Sequence, residues 1–142
     1  MRSENTVSVR DSELAPPVHR ARRKLIIDVG PSGGTVVLRC SGRIVYGEEA
    51  NRLCAALGEI LPTARRAVVD LTDVESIDSA GLGELVLLNM WADAAGYELK
   101  FANPNQWVWQ LLDLTNLDSV FDIYPTLSEA LGAVGNHVVT VA

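Results

Sequence analysis

The feature that most constrains the fold is the run from Ala67 to Leu71, which is apolar except for Asp70. A strand that exposes one face to water alternates apolar and polar residues, whereas a strand buried on both faces is nearly continuously apolar. We therefore predict that this run is a central strand with parallel neighbours. Parallel strands need crossover connections, usually helices, so the chain is expected to fold as α/β.

Helical and extended segments alternate after this strand, as such a fold requires. Apolar residues recur at helical spacing before it, over residues 48–61, and after it, over residues 79–95. Pro62 and Gly96 are predicted to end these two helices. The remaining predicted elements are a strand at Tyr97–Ala102, a helix at Asn105–Leu114, a short strand at Val120–Tyr124 and a helix at Thr126–Val134.

A hairpin is predicted to open the fold, because the β-branched runs Leu25–Val29 and Thr35–Cys40 flank a glycine-rich loop. The prediction is a single α/β domain with a mixed, mostly parallel sheet of about five strands, about four helices and right-handed crossovers. Residues 24–134 are expected to form this domain. Residues 1–23 are expected to be a flexible leader, and residues 135–142 a tail that is either an extra edge strand or a frayed end.

Charge and composition exclude several function classes. The first 24 residues hold six basic and three acidic residues, so the formal charge of −6 leaves −9 on the rest of the chain. Such an acidic domain is not expected to bind nucleic acid directly. Membrane insertion is not expected either, since no apolar run reaches the length of about 18 residues that a spanning helix needs. The polar N-terminus and two cysteines without CxxC spacing, Cys40 and Cys54, indicate a cytoplasmic protein with buried free thiols.

Residues 78–83, where the central strand's loop meets the next helix, form the most informative segment. A hydroxyl at Ser79 would lie in the field of the helix N-terminus, which favours anions by about 0.3–1 kcal/mol, so a phosphoryl group would be tolerated there. Alternatively, Asp78 or Ser79 simply caps the helix, a role for which both residue types are preferred. The local chemistry leaves both interpretations open.

Catalytic and metal chemistry are not indicated. A nucleophile elbow at Ser79 would need glycine at position 77, where the chain has Ile77, and the two histidines, His19 and His137, lie in the predicted leader and tail. No His, Cys or carboxylate cluster has the spacing of a metal site. We therefore expect a protein that is not an enzyme, with no catalytic residue, no metal and no cofactor.

The same segment resembles the signature of the STAS family, the sulfate-transporter and anti-sigma-factor-antagonist domain. The resemblance extends over about residues 24–134. Its parts are Asp78-Ser79-Ala80-Gly81-Leu82-Gly83 preceded by Val68–Leu71 and Ile77, then Gly42–Val45, Ala94–Gly96, Leu111–Leu117, Phe121 and Ser128–Leu131.

This resemblance implies a regulatory role. In free-standing bacterial members the Ser after this Asp, here Ser79, is phosphorylated by an anti-sigma factor with ATP-dependent serine kinase activity, and a serine phosphatase reverses the reaction. The unmodified form sequesters the kinase, so the sigma factor is released for transcription. The resemblance leaves undecided whether the chain forms a homodimer. The residues expected to contact the partner are Asp78, Ala80, Gly81, Leu82, Ile44 and Glu48.

One position departs from the family. Anti-sigma antagonists commonly carry Asp shortly after the glycine that opens the first loop, whereas this chain continues from Gly42 to Val45 without one. Glu48 or Glu49 is the nearest acidic substitute. The alternative function is a STAS scaffold subunit of a lipid-transport ATPase complex or of a stress-sensing assembly, not switched by phosphorylation.

The helix after Ser79 and the helix after Pro104 each raise a question about exposure. The first is apolar on more of its circumference than one core face needs, so either neighbours wrap it or part of it is an interaction surface. In the second, Trp109 is expected to be more exposed than Trp107, because Trp107 lies one turn before Leu111 on the predicted buried side.

Overall fold

The computed structural model describes residues 24–45 and 47–135. The predicted leader, residues 1–23, and residues 136–142 of the predicted tail lie outside this part of the chain. Within it, the elements are β1 Ile26–Ser32, β2 Thr35–Ile44, α1 Glu48–Ala64, β3 Arg66–Ile77, α2 Ser79–Ala95, β4 Glu98–Ala102, α3 Gln106–Leu114, a 3-10 turn Leu117–Ser119, β5 Ile123–Tyr124 and α4 Leu127–Ala133.

The sheet confirms the predicted architecture, a single α/β domain with five strands and four helices in the described residues. The strands lie in chain order, with β1 antiparallel to β2 and every later pair parallel. β3 is the central strand, and its neighbouring residues Val68 and Val69 are both fully buried, one on each face. The apolar run therefore occupies the position that its composition predicts.

The two faces of the sheet are covered unequally. Helices α1, α2 and α3 pack on one face around a large core that includes Leu38, Leu57, Leu85 and Val108. Among the described elements, helix α4 alone covers the other face, where Ala130 packs against Val68 of β3 and Ala102 of β4. A fully buried leucine or valine side chain typically stabilises a fold by about 1.5–3 kcal/mol. Most of the hydrophobic stabilisation therefore lies on the face that the three helices cover.

Several predicted boundaries are wrong. β2 and β3 do not stop near Cys40 and Leu71, because their parallel pairing resumes after register shifts and continues to Ile44 opposite Ile77. The segment from Thr72 to Ile77 is therefore strand and not loop. This extension brings the ends of both strands together at the start of α2.

Two predicted ends also shift. Helix α1 continues past Pro62 to Ala64 and is closed by Arg65 in a left-handed conformation, since a proline in the last turn removes only one helix hydrogen bond. The short strand begins only at Ile123 because the 3-10 turn, with Val120 N–H donating to Leu117 O at 3.0 Å, occupies the chain before it.

The prediction for the two tryptophans of α3 is wrong. Trp107 is 69% exposed, whereas Trp109 is only partly exposed. The fully buried residues of α3 are Val108 and Leu112, and Leu111 is only partly buried. Trp109 precedes Leu112 by three residues and so lies beside the buried stripe, while Trp107 lies on the opposite flank.

Candidate functional site

The candidate site is built where β2 and β3 end side by side. Ile44 of β2 pairs with Ile77 of β3, and the next residue, Asp78, donates its backbone N–H to Ile44 O at 3.3 Å. Helix α1 starts at Glu48 and helix α2 at Ser79, so the starts of both helices lie at this end of the sheet. The carboxyl ends of parallel strands are where α/β domains usually carry their binding sites.

Asp78, and not Ser79, is the N-cap of α2. Its backbone is extended, and its Oδ1 accepts a hydrogen bond from Gly81 N–H at 2.6 Å. Ser79 follows as the first helical residue, and its side chain is exposed. Because Asp78 fulfils the capping role, the Ser79 hydroxyl is left at the surface at the positive end of a 17-residue helix.

Gly81 allows the first turn of α2 to sit directly on the end of β2. A Cβ atom at this position would lie 2.7 Å from Ile44 O and 2.9 Å from Asp78 Oδ1, closer than van der Waals contact allows. Gly83, two residues later, has open space around it. The two glycines of the motif therefore have different physical roles, one in close packing and one at the surface.

The structure divides the predicted partner-contacting residues into two groups. Ser79, Ala80 and Glu48 are exposed, and Asp78 is partly exposed. The others, Ile44, Gly81 and Leu82, are buried in this structure. For these three, burial favours a supporting role, holding the exposed residues in place, over the direct contact that the sequence resemblance implies.

Helix α2 presents an exposed apolar face that begins beside Ser79. Leu82, Leu85 and Leu88 point into the core, while Leu87, Met90 and Trp91 are 64%, 59% and 41% exposed. We define the apolar face of α2 as the exposed residues Ala80, Gly83, Leu87, Met90, Trp91 and Ala94. Of the two alternatives for this helix, exposure is the correct one for most of this face, although the Tyr97 ring packs edge-on against Trp91 with 5.4 Å between the ring centroids.

The two cysteines both have thiol pKa values above the ordinary range. Burial, with a smaller contribution from the charge of Asp70, raises the pKa of Cys40 to about 12. Burial and then the charge of Glu84 raise the pKa of Cys54. Both thiols are thus free and protonated at neutral pH; Cys40 is buried as predicted, whereas Cys54 is only partly buried.

The described residues also lack a metal cluster and a membrane-spanning helix. They contain no group of three or more His, Cys, Asp or Glu side chains able to hold a metal ion. None of their helices is long and apolar enough to cross a membrane.

Comparison with known proteins gives one consistent family. The family model described as "Mlab, STAS domain" matches residues 14–127. A Thermotoga maritima protein provisionally named an anti-sigma factor antagonist is 44% identical over 64 residues, which are 45% of this chain and 57% of that protein. The match thus spans little more than half the length of that relative.

Solved structures agree. The crystal structure of a Thermotoga maritima protein, also provisionally named an anti-sigma factor antagonist, superposes with a TM-score of 0.69 at 28% identity, covering 82% of this chain and 97% of the other. That of an anti-sigma factor antagonist from Mycobacterium paratuberculosis gives a TM-score of 0.68, also at 28% identity, covering 78% and 94%.

Proposed function

Because this chain belongs to the STAS domain family, we propose that it is an anti-sigma-factor antagonist, a regulatory protein whose binding to an anti-sigma factor is switched by phosphorylation of Ser79. Its relatives in sequence and structure carry the antagonist name. In this proposal the unmodified chain occupies the anti-sigma kinase, which leaves the sigma factor free to direct transcription.

The observation that carries the proposal is the position of Ser79. Its side chain is exposed on the first helical residue of α2, beside Ala80 at the start of the apolar face. An exposed apolar helix face of this length is typical of protein–protein contact surfaces. A kinase that docks on this face would therefore have the Ser79 hydroxyl at the edge of its contact surface.

The chemistry of the switch would come mostly from the partner. Ser79 Oγ would attack the γ-phosphorus of ATP bound to the kinase, the bond from that phosphorus to ADP would break, and the hydroxyl proton would pass to a base on the kinase. Asp78 would keep its cap bond to Gly81 N–H and so hold the start of α2 in place. This chain then supplies a presented hydroxyl but no catalytic group or cofactor, and a serine phosphatase resets it.

Phosphorylation is expected to affect binding far more than folding. The phosphoserine would carry a charge of about −1.5 to −2 next to the carboxylate of Asp78 and beside an apolar contact face. A partner surface that is apolar at this point cannot solvate that charge. Within the free protein the same charge lies in water at a helix N-terminus, where it is stabilised by about 0.3–1 kcal/mol.

We expect Ser79→Asp to bind the anti-sigma kinase at least roughly tenfold more weakly than wild type, and Ser79→Ala to bind like wild type. Ser128→Asp is the matched control, since Ser128 is also an exposed serine in the first turn of a helix, α4, which covers the other face of the sheet. The measurement is calorimetric titration of the purified kinase, with mass spectrometry of Ser79 after incubation with kinase and ATP. Equal binding of all four proteins without phosphate on Ser79 would contradict the switch and favour the scaffold function.

The contact face has its own test. Leu87→Ser should weaken kinase binding by roughly tenfold, because Leu87 lies at the centre of the apolar face and is 64% exposed. Ile26→Ser on β1, 55% exposed at the far edge of the sheet, is the control and should leave binding unchanged. Neither change removes a buried side chain, so thermal unfolding should stay close to wild type. If Leu87→Ser and Ile26→Ser bind equally well, the partner docks elsewhere.

A further inference from the structure

The outer edge of β4 is only partly covered by β5. All five residues of β4 pair with β3, but only Phe101 and Ala102 pair with β5. Beside Glu98–Lys100 the described residues provide no strand on the outer side. An open strand edge of this kind presents backbone groups that can pair with another chain.

The direction of the backbone groups identifies the available donor. Glu98 N–H donates to Arg65 O at 3.0 Å on the β3 side, and Phe101 N–H donates to Asp122 O at 2.8 Å on the β5 side. Alternate residues of a strand direct their N–H and C=O groups to the same side. The N–H and C=O of Leu99 therefore point to the open side, the side on which Phe101 meets β5.

A cleft of about 510 Å³ runs along this edge. Met90 and Asp93 of α2 line it on one side, Ala133 at the end of α4 lines it on the other, and Val120 and Asp122 border it where β5 begins. The cleft thus has the floor of a strand edge and the walls of two helices. This is the shape that an added β-strand requires.

The two sides of the cleft differ in chemistry. On the α2 side lie Leu99 and the exposed apolar side chains of Met90 and Val120, which are 59% and 45% exposed. On the α4 side lie Lys100 and Asp122, joined by an ion pair between Lys100 Nζ and Asp122 Oδ2. An extended segment placed here would need apolar side chains toward α2 and polar ones toward α4, which is the alternation of a strand.

The charge of the cleft favours a basic segment. Three carboxylates line it, those of Asp93, Glu98 and Asp122, against the ammonium group of Lys100. Arg66, outside the lining, pairs with Glu98 at 3.2 Å, so the carboxylates outnumber these cations by one. Burial lowers the pKa of Lys100, but its hydrogen bond to Asp122 and the nearby negative charges outweigh this and raise it, so Lys100 stays protonated and bound to its own carboxylates. The C-terminus of α2 adds further negative potential, since its last turn has no basic residue.

We propose that this cleft is a second docking site, which binds an extended segment of a partner protein with alternating apolar and basic side chains by adding it as a strand beside β4. The site lies at the C-terminal end of α2. Ser79 lies at the other end of this 17-residue helix, about 25 Å away at 1.5 Å per residue. The cleft is therefore distant from the Ser79 hydroxyl, although Met90 belongs both to the cleft and to the apolar face of α2.

The test uses the full chain and a fluorescein-labelled peptide of sequence Val-Lys-Val-Lys-Val, with Val-Glu-Val-Glu-Val as its acidic counterpart. We expect the basic peptide to bind at least roughly fivefold more tightly than the acidic one. Met90→Lys should weaken binding of the basic peptide by about fivefold, whereas Ile26→Lys, the same charge at the opposite edge of the sheet, should not. Bound peptide should also slow hydrogen exchange of the Leu99 amide by at least about fivefold.

Four results would overturn the proposal. The first is equal binding of the two peptides. The second is an unchanged hydrogen-exchange rate of the Leu99 amide at saturating peptide, which would mean that the peptide binds elsewhere. The third is binding that appears only after residues 136–142 are deleted, which would assign the cleft to this chain's own C-terminal segment. Concentration-dependent protection of Leu99 without peptide would likewise assign it to a second copy of the chain.

Discussion

Replacing Gly42 with alanine is expected to lower the free energy of unfolding by about 3 kcal/mol or more. Gly42 lies in β2 with φ of 108°, a left-handed conformation that costs a residue with a side chain about 1–2 kcal/mol. A Cβ atom there would also overlap the backbone carbonyl oxygen of Lys24 and come within 3.0 Å of its carbonyl carbon. Backbone atoms cannot rotate away as a side chain can, so the chain segment at Lys24 and Leu25, just before β1, must move.

The variant Gly47→Ala separates the two causes of this loss, the strain of a positive φ and the overlap with Lys24. Gly47 has nearly the same φ, 104°, but nothing lies within 4 Å of a Cβ atom at this position. Its replacement should therefore cost only the conformational strain, about 1–2 kcal/mol. Urea unfolding of both variants gives the comparison. Equal losses would mean that the contact with Lys24 does not restrict position 42.

Gly81→Ala and Gly83→Ala are expected to change stability in opposite directions. At Gly81 the added methyl group would meet Ile44 O at 2.7 Å, and relieving that contact should cost about 1–3 kcal/mol. At Gly83 the space is open on an exposed helix surface, so alanine should stabilise the protein by about 0.5–1 kcal/mol through its better helix propensity. Urea unfolding measures both.

The variants Gly81→Ala and Gly83→Ala also test the candidate functional site at the start of α2. If the start of α2 is displaced from β2 by Gly81→Ala, binding of the anti-sigma kinase should weaken as well, since Ser79 moves with it. A stabilising Gly81→Ala would show that the close packing of α2 on Ile44 is not needed. A destabilising Gly83→Ala would show that this position is less open than its surroundings indicate.

The sequence was most informative where local chemistry decides the outcome. The apolar run Ala67–Leu71 has only one stable place in a sheet, the centre, and the alternation of helical and extended segments around it determines the fold class. The start of α2 was predicted correctly at Ser79 because Asp-Ser before an apolar helix is a strong start signal. The phosphoacceptor role of Ser79 remains a prediction that rests on family resemblance.

The sequence was least informative where the outcome depends on partners distant in the chain. The extension of β3 through Thr72–Ile77 follows from pairing with β2, and no local pattern in this polar segment indicates a strand. The exposed face of α2 could not be chosen from the sequence, because the helix is apolar on nearly every side. The cleft beside β4 exists only because β5 is two residues long, which follows from the 3-10 turn before it.

The order of the strands has a consequence for how the protein is made. Since the strands lie in the sheet in the order in which they occur in the chain, each strand after the first pairs with one that has already left the ribosome. Among the five described strands, none has to insert between two others, and each pairs with the strand that precedes it in the chain. We therefore expect the sheet to grow from one edge during synthesis, starting with the β1–β2 hairpin, so that the four strands β1–β4 can pair once Ala102 has left the ribosome and before β5 has done so.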